Sequence, residues 1–215
     1  MTSESAEMVS GIEALMWDVY GYVREGGGQL TEGGASAAEA TYLRELARST
    51  GAPRVAEIGF NVGFSAIAFL ESAPESTVVS FELDRRRSVE LAKEYVDNHY
   101  PGRHELVIGD STTTVPHFAV ARADRFDLVF VDGGHTYEVA AADIANARAI
   151  AKPGAIIVVD DLIPWYPWGV GPHQAWTEAL ESELVHSAEY YIDGHRVDTL
   201  TAPGDRAWGT AKFTI

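Results

Sequence analysis

The sequence has 215 residues, of which 46% are hydrophobic and 22% are charged, a size and composition typical of one globular domain with an apolar core. It contains no cysteine, which excludes disulfide bonds, thiolate metal ligands and cysteine nucleophiles from this chain. The formal net charge of −16 repels phosphate backbones and anionic lipids, so neither a nucleic acid nor a membrane is an expected partner.

Two helices are predicted in the N-terminal part of the chain. Residues 6–25 place Ile12 and Met16 on one helical face, and residues 37–49 predict a second helix. The stretch 24–36 between them is rich in glycine and predicts a joint between the two helices.

The same region carries no targeting signal. The start of the chain lacks the basic region and cleavage site of a secretory signal, and no apolar run reaches the roughly 18 residues that predict a membrane span. We therefore expect a cytoplasmic protein. Its predicted organisation is an N-terminal helical cap segment at 1–34 and a main domain at 35–215.

The main domain alternates between strands and helices. Five short, β-branched and nearly continuously apolar segments predict strands that are buried on both faces, as in a parallel sheet: 54–60, 77–83, 104–110, 126–132 and 155–161. Helices are predicted between them at 64–72, 85–98, 112–120 and 137–151. This alternation predicts an α/β, doubly wound, Rossmann-like domain with a mostly parallel sheet.

The last third of the chain predicts an antiparallel edge. A helix is expected at 173–187, followed by strands at 195–201 and 208–215. The turn sequence "APGDRA" between these two strands predicts a hairpin.

Ligands of doubly wound sheets bind at the carboxyl ends of the strands, and here these ends carry acidic residues and glycines. The segment "AEIGFNVGFSA" has a G-x-x-x-G spacing, whereas dinucleotide enzymes use G-x-G-x-x-G, so a nicotinamide dehydrogenase is disfavoured. Glu82, about 20 residues further on, is placed to accept hydrogen bonds from ribose hydroxyls, and Asp110 with Ser111 is placed to hold an adenine edge. The predicted nucleoside-cofactor site comprises Glu57, Gly59, Asn61, Gly63, Ser65, Glu82, Asp110, Ser111 and Asp132.

Carboxylates at the next two strand ends predict a metal site. Asp132 ends the fourth strand, and Asp160 and Asp161 end the fifth. An all-oxygen cluster suits a hard divalent cation, Mg²⁺ first and Mn²⁺ or Ca²⁺ next. The alternative is that these residues form turns and cap the following helices.

His135 follows Asp132 by three residues and is the predicted general base. An imidazole titrates near neutral pH and can take the proton of a hydroxyl group, so His135 and Asp132 are the predicted catalytic pair. The alternative is that His135 is a solvent-facing residue at the entry of a helix.

These motifs resemble those of class I S-adenosylmethionine-dependent methyltransferases, on the residues "EIGFNVGFS" and "FELD". The resemblance extends over about residues 35 to 215 and implies a seven-stranded sheet whose last strand is antiparallel. It implies S-adenosyl-L-methionine as the cofactor, with Glu57 and Gly59 beside the methionine part, Glu82 at the ribose, and Asp110 and Ser111 at the adenine.

The segments "DGGH" and "VVDDL" resemble metal-dependent O-methyltransferases, and they are more similar to the macrocin-type sugar enzymes than to catechol O-methyltransferases, which have a lysine base. The resemblance implies methyl transfer to a hydroxyl of a small molecule, with a sugar of a natural product, as in antibiotic biosynthesis, as the expected acceptor. The alternatives are a catechol-type phenol acceptor and a non-catalytic protein that binds S-adenosylmethionine. A homodimer is compatible with the sequence.

The segment that follows Asp161, "LIPWYPWGVGPHQAW", predicts an aromatic lid for the acceptor. Trp165, Tyr166, Trp168 and Trp176 offer ring faces that can bind a sugar, a flat ring or a sulfonium cation. The alternative is that these rings pack the segment onto the domain. The Gly-rich stretch near Gln29 is expected to close the other side of the site.

Overall fold

The computed structural model describes residues 3–29, 34–51 and 53–214, with side chains from residue 11 onward. The described helices are α1 Ser3–Glu25, α2 Ala37–Ser49, α3 Phe64–Leu70, α4 Arg87–His99, α5 Ser111–Ala121, α6 Tyr137–Ile150 and α7 Val170–Glu181. The described strands are β1 Arg54–Ile58, β2 Thr77–Glu82, β3 His104–Ile108, β4 Phe126–Val131, β5 Ala151–Val159, β6 Val185–Ile192, β7 His195–Val197 and β8 Ala207–Phe213. Part of the predicted Gly-rich joint, at 30–33, and the last residue of the predicted final strand lie outside the described residues.

The described strands form one sheet in the order β3-β2-β1-β4-β5-β8-β6-β7. Strands β1 to β5 are parallel, whereas β8 pairs antiparallel with both β5 and β6, and β7 pairs antiparallel with β6. The chain runs outward from β1 to β3 and then returns to add β4 on the other side of β1. This reversal opens a crevice between the carboxyl ends of β1 and β4, where doubly wound sheets bind ligands.

Helices cover both faces of the sheet, which explains the continuous apolar runs of the strands. In β4, Leu128 and Phe130 belong to the core beneath α1 to α4, while Val129 and Val131 belong to the core beneath α5, α6 and α7. Successive side chains of a strand point to opposite faces, so both faces must be apolar when both are covered. The predicted doubly wound α/β fold with an antiparallel edge is confirmed.

The N-terminal helix is packed into the main body. Ile12, Met16, Val19 and Val23 recur on one face of α1 and are buried with residues of α2, α3 and α4. Helix α2 begins with a capping box, in which the Ser36 hydroxyl accepts from the Glu39 N–H and the Glu39 carboxylate accepts from the Ser36 N–H. Among the described residues, no helix is long and apolar enough to cross a membrane.

The last third of the chain differs from the prediction. Helix α7 ends at Glu181, and the segment Val185–Ile192, partly assigned to a helix from the sequence, is the long strand β6. Its β-branched and aromatic residues fit a half-buried strand, and tertiary pairing with β8 overrides the local helical pattern.

The predicted hairpin at "APGDRA" is wrong. β7 pairs with β6 through the turn at Asp193 and Gly194, which both have positive φ, and not with β8. β8 instead lies between β5 and β6, so the sheet has eight described strands where seven were expected. The extra strand, β7, is only three residues long.

Candidate active site

A cavity of about 370 Å³ opens at the carboxyl ends of β1 to β4, within the roughly 300–1,000 Å³ of typical small-molecule sites. Of the predicted site residues, those that line it are Gly59, Asn61, Ser65, Glu82, Asp110, Ser111, Asp132 and His135. Glu57 and Gly63 support this lining from behind. Other residues in the wall, which the sequence did not single out, include Gly34, Ala35, Phe60, Phe64, Leu83 and Val139.

The loop after β1 depends on two glycines. Gly59 has a φ of +100°, and a Cβ placed on it would lie 1.9 Å from the carbonyl oxygen of Asp132. A Cβ on Gly63, which has a φ of +78°, would lie 3.0 Å from the Phe60 ring. Only glycine combines positive φ with such close backbone approach. The G-x-x-x-G spacing therefore brings the β1 loop directly against the end of β4.

Glu82 joins the end of β2 to this loop. Its Oε2 accepts hydrogen bonds from the backbone N–H groups of Phe60 (3.2 Å) and Asn61 (2.8 Å), and its Oε1 accepts from Asp84 N–H and Arg86 Nη2, each at 3.3 Å. The two Oε1 contacts are long, so a ligand hydroxyl can replace them. Glu82 thus shapes the loop and still offers a carboxylate oxygen to the cavity.

Asp110 and Ser111 lie at the far end of the cavity, after β3. Asp110 is the N-cap of α5, and its Oδ1 accepts from the backbone N–H of Thr112 (2.9 Å) and from its hydroxyl (2.7 Å). These hydrogen bonds, led by that of the Thr112 side chain, lower the pKa of Asp110, so the carboxylate is ionised at neutral pH. An ionised acceptor at this position can receive the amino group of a base.

Glu57 is fully buried behind the cavity wall. Its Oε2 accepts from the hydroxyl of Ser65 (2.7 Å), which lines the cavity, and its Oε1 accepts from the hydroxyl of Ser80 (2.5 Å). Burial raises the pKa of Glu57 to about 8, although both hydrogen bonds oppose the rise. Glu57 is therefore linked to the cavity by its hydrogen bond with Ser65.

The three predicted metal ligands converge. One carboxylate oxygen from each of Asp132, Asp160 and Asp161 lies within 4.8 Å of the other two. Burial and the neighbouring carboxylates raise the pKa values of Asp132 and Asp160. Asp161 has a φ of +58°, an unusual conformation for a residue with a Cβ, and such strain is often retained at functional sites.

Glu39 is a fourth acidic residue at this cluster, and the sequence analysis missed it. It is fully buried on α2, and burial together with Asp160 and Asp132 raises its pKa well above the usual value. Within the described part of the chain, Oε1 of Glu39 and Oδ1 of Asp160 are buried without a hydrogen-bond partner. The signal that could have revealed Glu39 is its place on the apolar face of α2 with Leu43 and Ala47, at i+4 and i+8.

Among the described residues, Arg206 brings a positive charge to the cluster and His135 brings a hydrogen-bond donor. Arg206, just before β8, attracts Glu39, Asp132 and Asp160 and opposes the rise of their pKa values. His135 donates from Nε2 to Oδ2 of Asp161 at 2.8 Å. This hydrogen bond raises the pKa of His135 against the opposing effect of burial.

The aromatic residues of the segment after Asp161 are only partly exposed. The Tyr166 and Trp168 rings stack with centroids 4.7 Å apart and planes 4° apart, and Trp168 is exposed. Trp165 donates from Nε1 to the carbonyl oxygen of Gly204. Trp176 is not one of the exposed rings. It lies in α7 and is fully buried in the core, because its ring packs beneath β8 at Gly209.

Comparison with known families places this site in context. Residues 56–162 match a family described as a methyltransferase domain. The matched segment begins within β1, contains β2 to β5 and ends just after Asp160 and Asp161. No curated protein sequence matches the chain.

Solved structures share the fold over nearly the whole chain. Cofactor-bound Rv0187 from MTB is 25% identical, with a TM-score of 0.75 over 92% of this chain and 88% of that protein. The O-methyltransferase TomG from Streptomyces achromogenes, involved in tomaymycin synthesis and solved with S-adenosylmethionine, is 21% identical, with a TM-score of 0.71 over 97% and 90% of the two chains. An O-methyltransferase from Bacillus cereus, in complex with S-adenosylhomocysteine, is 16% identical, with a TM-score of 0.71 over 96% and 90%.

The family match and the fold agree with the cavity at the strand ends. The segment that matches the family contains the loop of Gly59, the ribose candidate Glu82 and the cluster residues Asp132, Asp160 and Asp161. Residues 56–162 therefore match a methyltransferase domain, and the protein is an enzyme with the class I methyltransferase fold.

Proposed function

We propose that the protein transfers the methyl group of S-adenosylmethionine to a hydroxyl group of a small molecule, in a reaction that requires a divalent cation. The observation that carries this proposal is that the cavity and the acidic cluster lie next to each other and share residues. Asp132 and His135 line the cavity and also belong to the acidic cluster or touch it. A methyl donor in the cavity would therefore meet an acceptor held at the cluster.

The cavity wall supports S-adenosylmethionine as the donor. Glu82 offers an acceptor for ribose hydroxyls, and Asp110 with Ser111 offers polar groups to the base at the other end. Ser65 presents a hydroxyl backed by Glu57 to the remaining part of the ligand. The related proteins solved with S-adenosylmethionine or its product have the same fold.

The acidic cluster fits a hard divalent cation, with Mg²⁺ as the first candidate. Asp132, Asp160 and Asp161 would hold it, and Glu39 would add a fourth carboxylate. The buried carboxyl groups of Glu39 and Asp160 lie close enough to share a proton, and a cation would satisfy the same buried oxygens when both groups are ionised, which supports this assignment. When bound, a divalent cation lowers the pKa of a hydroxyl group that coordinates it.

His135 is the proposed general base. Its Nε2 donates to Asp161 at the cluster, so in the neutral ring the free lone pair lies on Nδ1, and that nitrogen would take the proton of the acceptor hydroxyl. Asp161 orients the ring and makes it more basic, and Asp132 holds the acceptor side of the site. The alternative role of His135 as a helix-entry residue is also consistent with its place before α6, and only kinetics separates the two roles.

We further propose a sugar hydroxyl on a natural product as the acceptor. The support is the resemblance of "DGGH" and "VVDDL" to macrocin-type enzymes, together with the exposed ring of Trp168 in the segment that follows Asp161. The parallel pair of Tyr166 and Trp168 also suits a flat phenol, so a catechol acceptor is the second candidate.

The segment 1–34 is proposed to act as a cap on the cofactor side. Gly34 lines the cavity directly, and α1 packs against α2, α3 and α4 beside it. In this organisation residues 35–215 are the catalytic domain.

The experiment is a methyl-transfer assay with labelled S-adenosylmethionine and a panel of glycosides, catechols and simple alcohols. Protein stripped of metal should transfer nothing, and added Mg²⁺ should restore transfer to at least one hydroxylated acceptor. Full transfer in excess chelator would refute the metal requirement. Binding of S-adenosylmethionine with no transfer to any acceptor, in the presence of Mg²⁺, would favour a non-catalytic protein.

A further inference from the structure

A chain of buried polar groups runs from the cavity wall into the sheet. The Ser65 hydroxyl bonds to Glu57 Oε2, and the Ser80 hydroxyl lies 2.5 Å from Glu57 Oε1 and 2.7 Å from Nε2 of His104. All of these residues are less than one tenth exposed. Ser65 lines the cavity, whereas Glu57, Ser80 and His104 lie behind it, so the proton positions of these three residues depend on one another and on what occupies the cavity.

Ser80 has a single proton, so it can donate to only one of its two partners. His104 is neutral, because burial lowers its pKa to about 3. When Glu57 is ionised, Ser80 donates to Glu57, and His104 donates to Ser80 from Nε2. When Glu57 is protonated, Glu57 donates to Ser80, Ser80 donates to Nε2, and the proton of His104 resides on Nδ1, a buried atom that has no hydrogen-bond partner among the described residues.

We propose that Glu57, Ser80 and His104 form a two-state hydrogen-bond chain that responds to the charge of the ligand in the cavity. Ionised Glu57 is favoured while the sulfonium of S-adenosylmethionine is bound, and protonated Glu57 is favoured once that charge is lost. In this role Ser80 and His104 are positioning residues. The inference rests on the proposed function, since it requires a sulfonium cofactor.

The surroundings of Glu57 leave its charge sensitive to such a ligand. Of the groups that face it, Glu82 on β2 and Asp132 after β4 are acidic and disfavour its ionisation, while Ser65 on α3 carries no charge. Behind His104 on β3, the ammonium of Lys93 on α4 approaches the His104 carbonyl oxygen at 3.4 Å. Because burial raises the pKa of Glu57 to about 8, both forms are accessible near neutral pH. A cation in the cavity, one serine away, favours the ionised form.

The far end of the chain touches the cofactor loop again. The imidazole of His104 stacks on the ring of Phe60, with centroids 5.0 Å apart and planes 23° apart. The Phe60 N–H donates to Glu82, and the Phe60 ring fills the space beside Gly63. A change of tautomer at His104 therefore occurs in contact with the loop that borders the cavity.

The first test is calorimetry of S-adenosylmethionine and of S-adenosylhomocysteine, each in two buffers with different enthalpies of ionisation, near neutral pH. The protein should release more protons with the sulfonium compound than with the thioether, because Glu57 loses its proton to the buffer. In Glu57→Gln this difference should disappear. Equal proton release for the two ligands in the wild type would overturn the proposal, while binding of neither ligand would instead contradict the proposed function.

The second test is nitrogen NMR of the His104 ring. Addition of S-adenosylmethionine should move the ring proton from Nδ1 toward Nε2, and addition of S-adenosylhomocysteine should move it less. Ser80→Ala should abolish this response. Ser72→Ala removes a buried serine that is not part of the hydrogen-bond chain, and it should preserve the response. A His104 signal that responds in Ser80→Ala as in the wild type would show that Ser80 transmits nothing.

Discussion

Glu82 is the residue through which the cofactor site can be tested most simply. Replacing Glu82 with alanine removes a charged acceptor from the cavity and two hydrogen bonds that hold the loop at Phe60 and Asn61. We expect binding of S-adenosylhomocysteine to weaken by roughly 1.5–3 kcal/mol, the scale of hydrogen bonds to a charged group. The matched control is Glu75→Ala, an exposed acid away from the cavity. Equal affinity of the Glu82 variant and the control in calorimetry would remove Glu82 from the site.

His135 provides the kinetic test at the same scale. Glutamine keeps the size of the side chain but cannot accept the proton, so His135→Gln should lower kcat by about 10²–10⁴. The cofactor affinity should change little, because the residue acts in the transition state. The control is His117→Gln, an exposed histidine on α5.

The pH profile supplies a second measurement on His135. A general base must be neutral, so the wild-type rate should fall as the pH drops through the pKa of His135, which its hydrogen bond to Asp161 raises. This limb should be missing in His135→Gln. A folded variant that turns over within a few-fold of the wild type would assign activation of the hydroxyl to the metal site alone.

The sequence predicted those site residues that lie at the end of an apolar strand. Asp132, Asp160 and Asp161 follow two apolar strands directly, and parallel strands bring their carboxyl ends to one edge of the sheet. Glu39 was not predictable in this way, because it reaches the cluster from a helix nearly a hundred residues earlier in the chain. Its position in a capping box also gave it a local explanation that concealed its burial.

At the scale of an element, the loop after β1 makes a sharp prediction. Gly59→Ala would place a Cβ 1.9 Å from the Asp132 carbonyl oxygen, so the loop must move away from β4. We expect this variant to lose binding of S-adenosylhomocysteine and several kcal/mol of stability, since both steric overlap and positive φ penalise it.

Gly102 is the matched control for that change. It has a similar positive φ of +75°, but nothing lies within 4 Å of the position that a Cβ would take. Gly102→Ala should cost about 1–2 kcal/mol for the left-handed backbone alone and leave binding unchanged. If both alanine variants bind the ligand like the wild type, the Gly59 loop does not shape the cavity.

Elements buried on both faces were the predictable ones. β1 to β5 have apolar runs that only a covered parallel sheet requires, and each lies close to its predicted place. β6 and β7 lie at one end of the sheet, are half-exposed and contain polar residues such as His186 and Arg196, so their hydrophobicity follows no clear period. β6 pairs with β8, which follows it in the chain, and no local pattern contains that information.

At the scale of the whole molecule, the acidic cluster should make stability depend on pH and metal. Glu39, Asp132 and Asp160 have folded-state pKa values above their usual ones. The folded protein then binds more protons than the unfolded chain, so stability is highest below the unfolded pKa values and is lost as pH rises through the folded ones. In chelator, Tm should therefore be higher near pH 5.5 than near pH 8.

Magnesium should reverse this loss. At about 100 times its Kd, a bound ion adds about 2.7 kcal/mol, which corresponds to roughly 5–10 °C in Tm for a chain of this length. The gain should be larger near pH 8 than near pH 5.5, because the ligands must be ionised. Asp160→Asn should flatten the pH dependence in chelator and reduce the gain. The same Tm with and without magnesium at both pH values would mean that the cluster binds no magnesium.

The central claim is that the cavity at the carboxyl ends of β1 to β4 binds S-adenosylmethionine and its product. The most direct measurement is titration of the wild-type protein with S-adenosylhomocysteine in a calorimeter. We expect one molecule per chain with a Kd on the order of micromolar, about −8 kcal/mol, and an increase in Tm with ligand concentration. No heat of binding and no change in Tm at ligand concentrations of about 1 mM would contradict the claim.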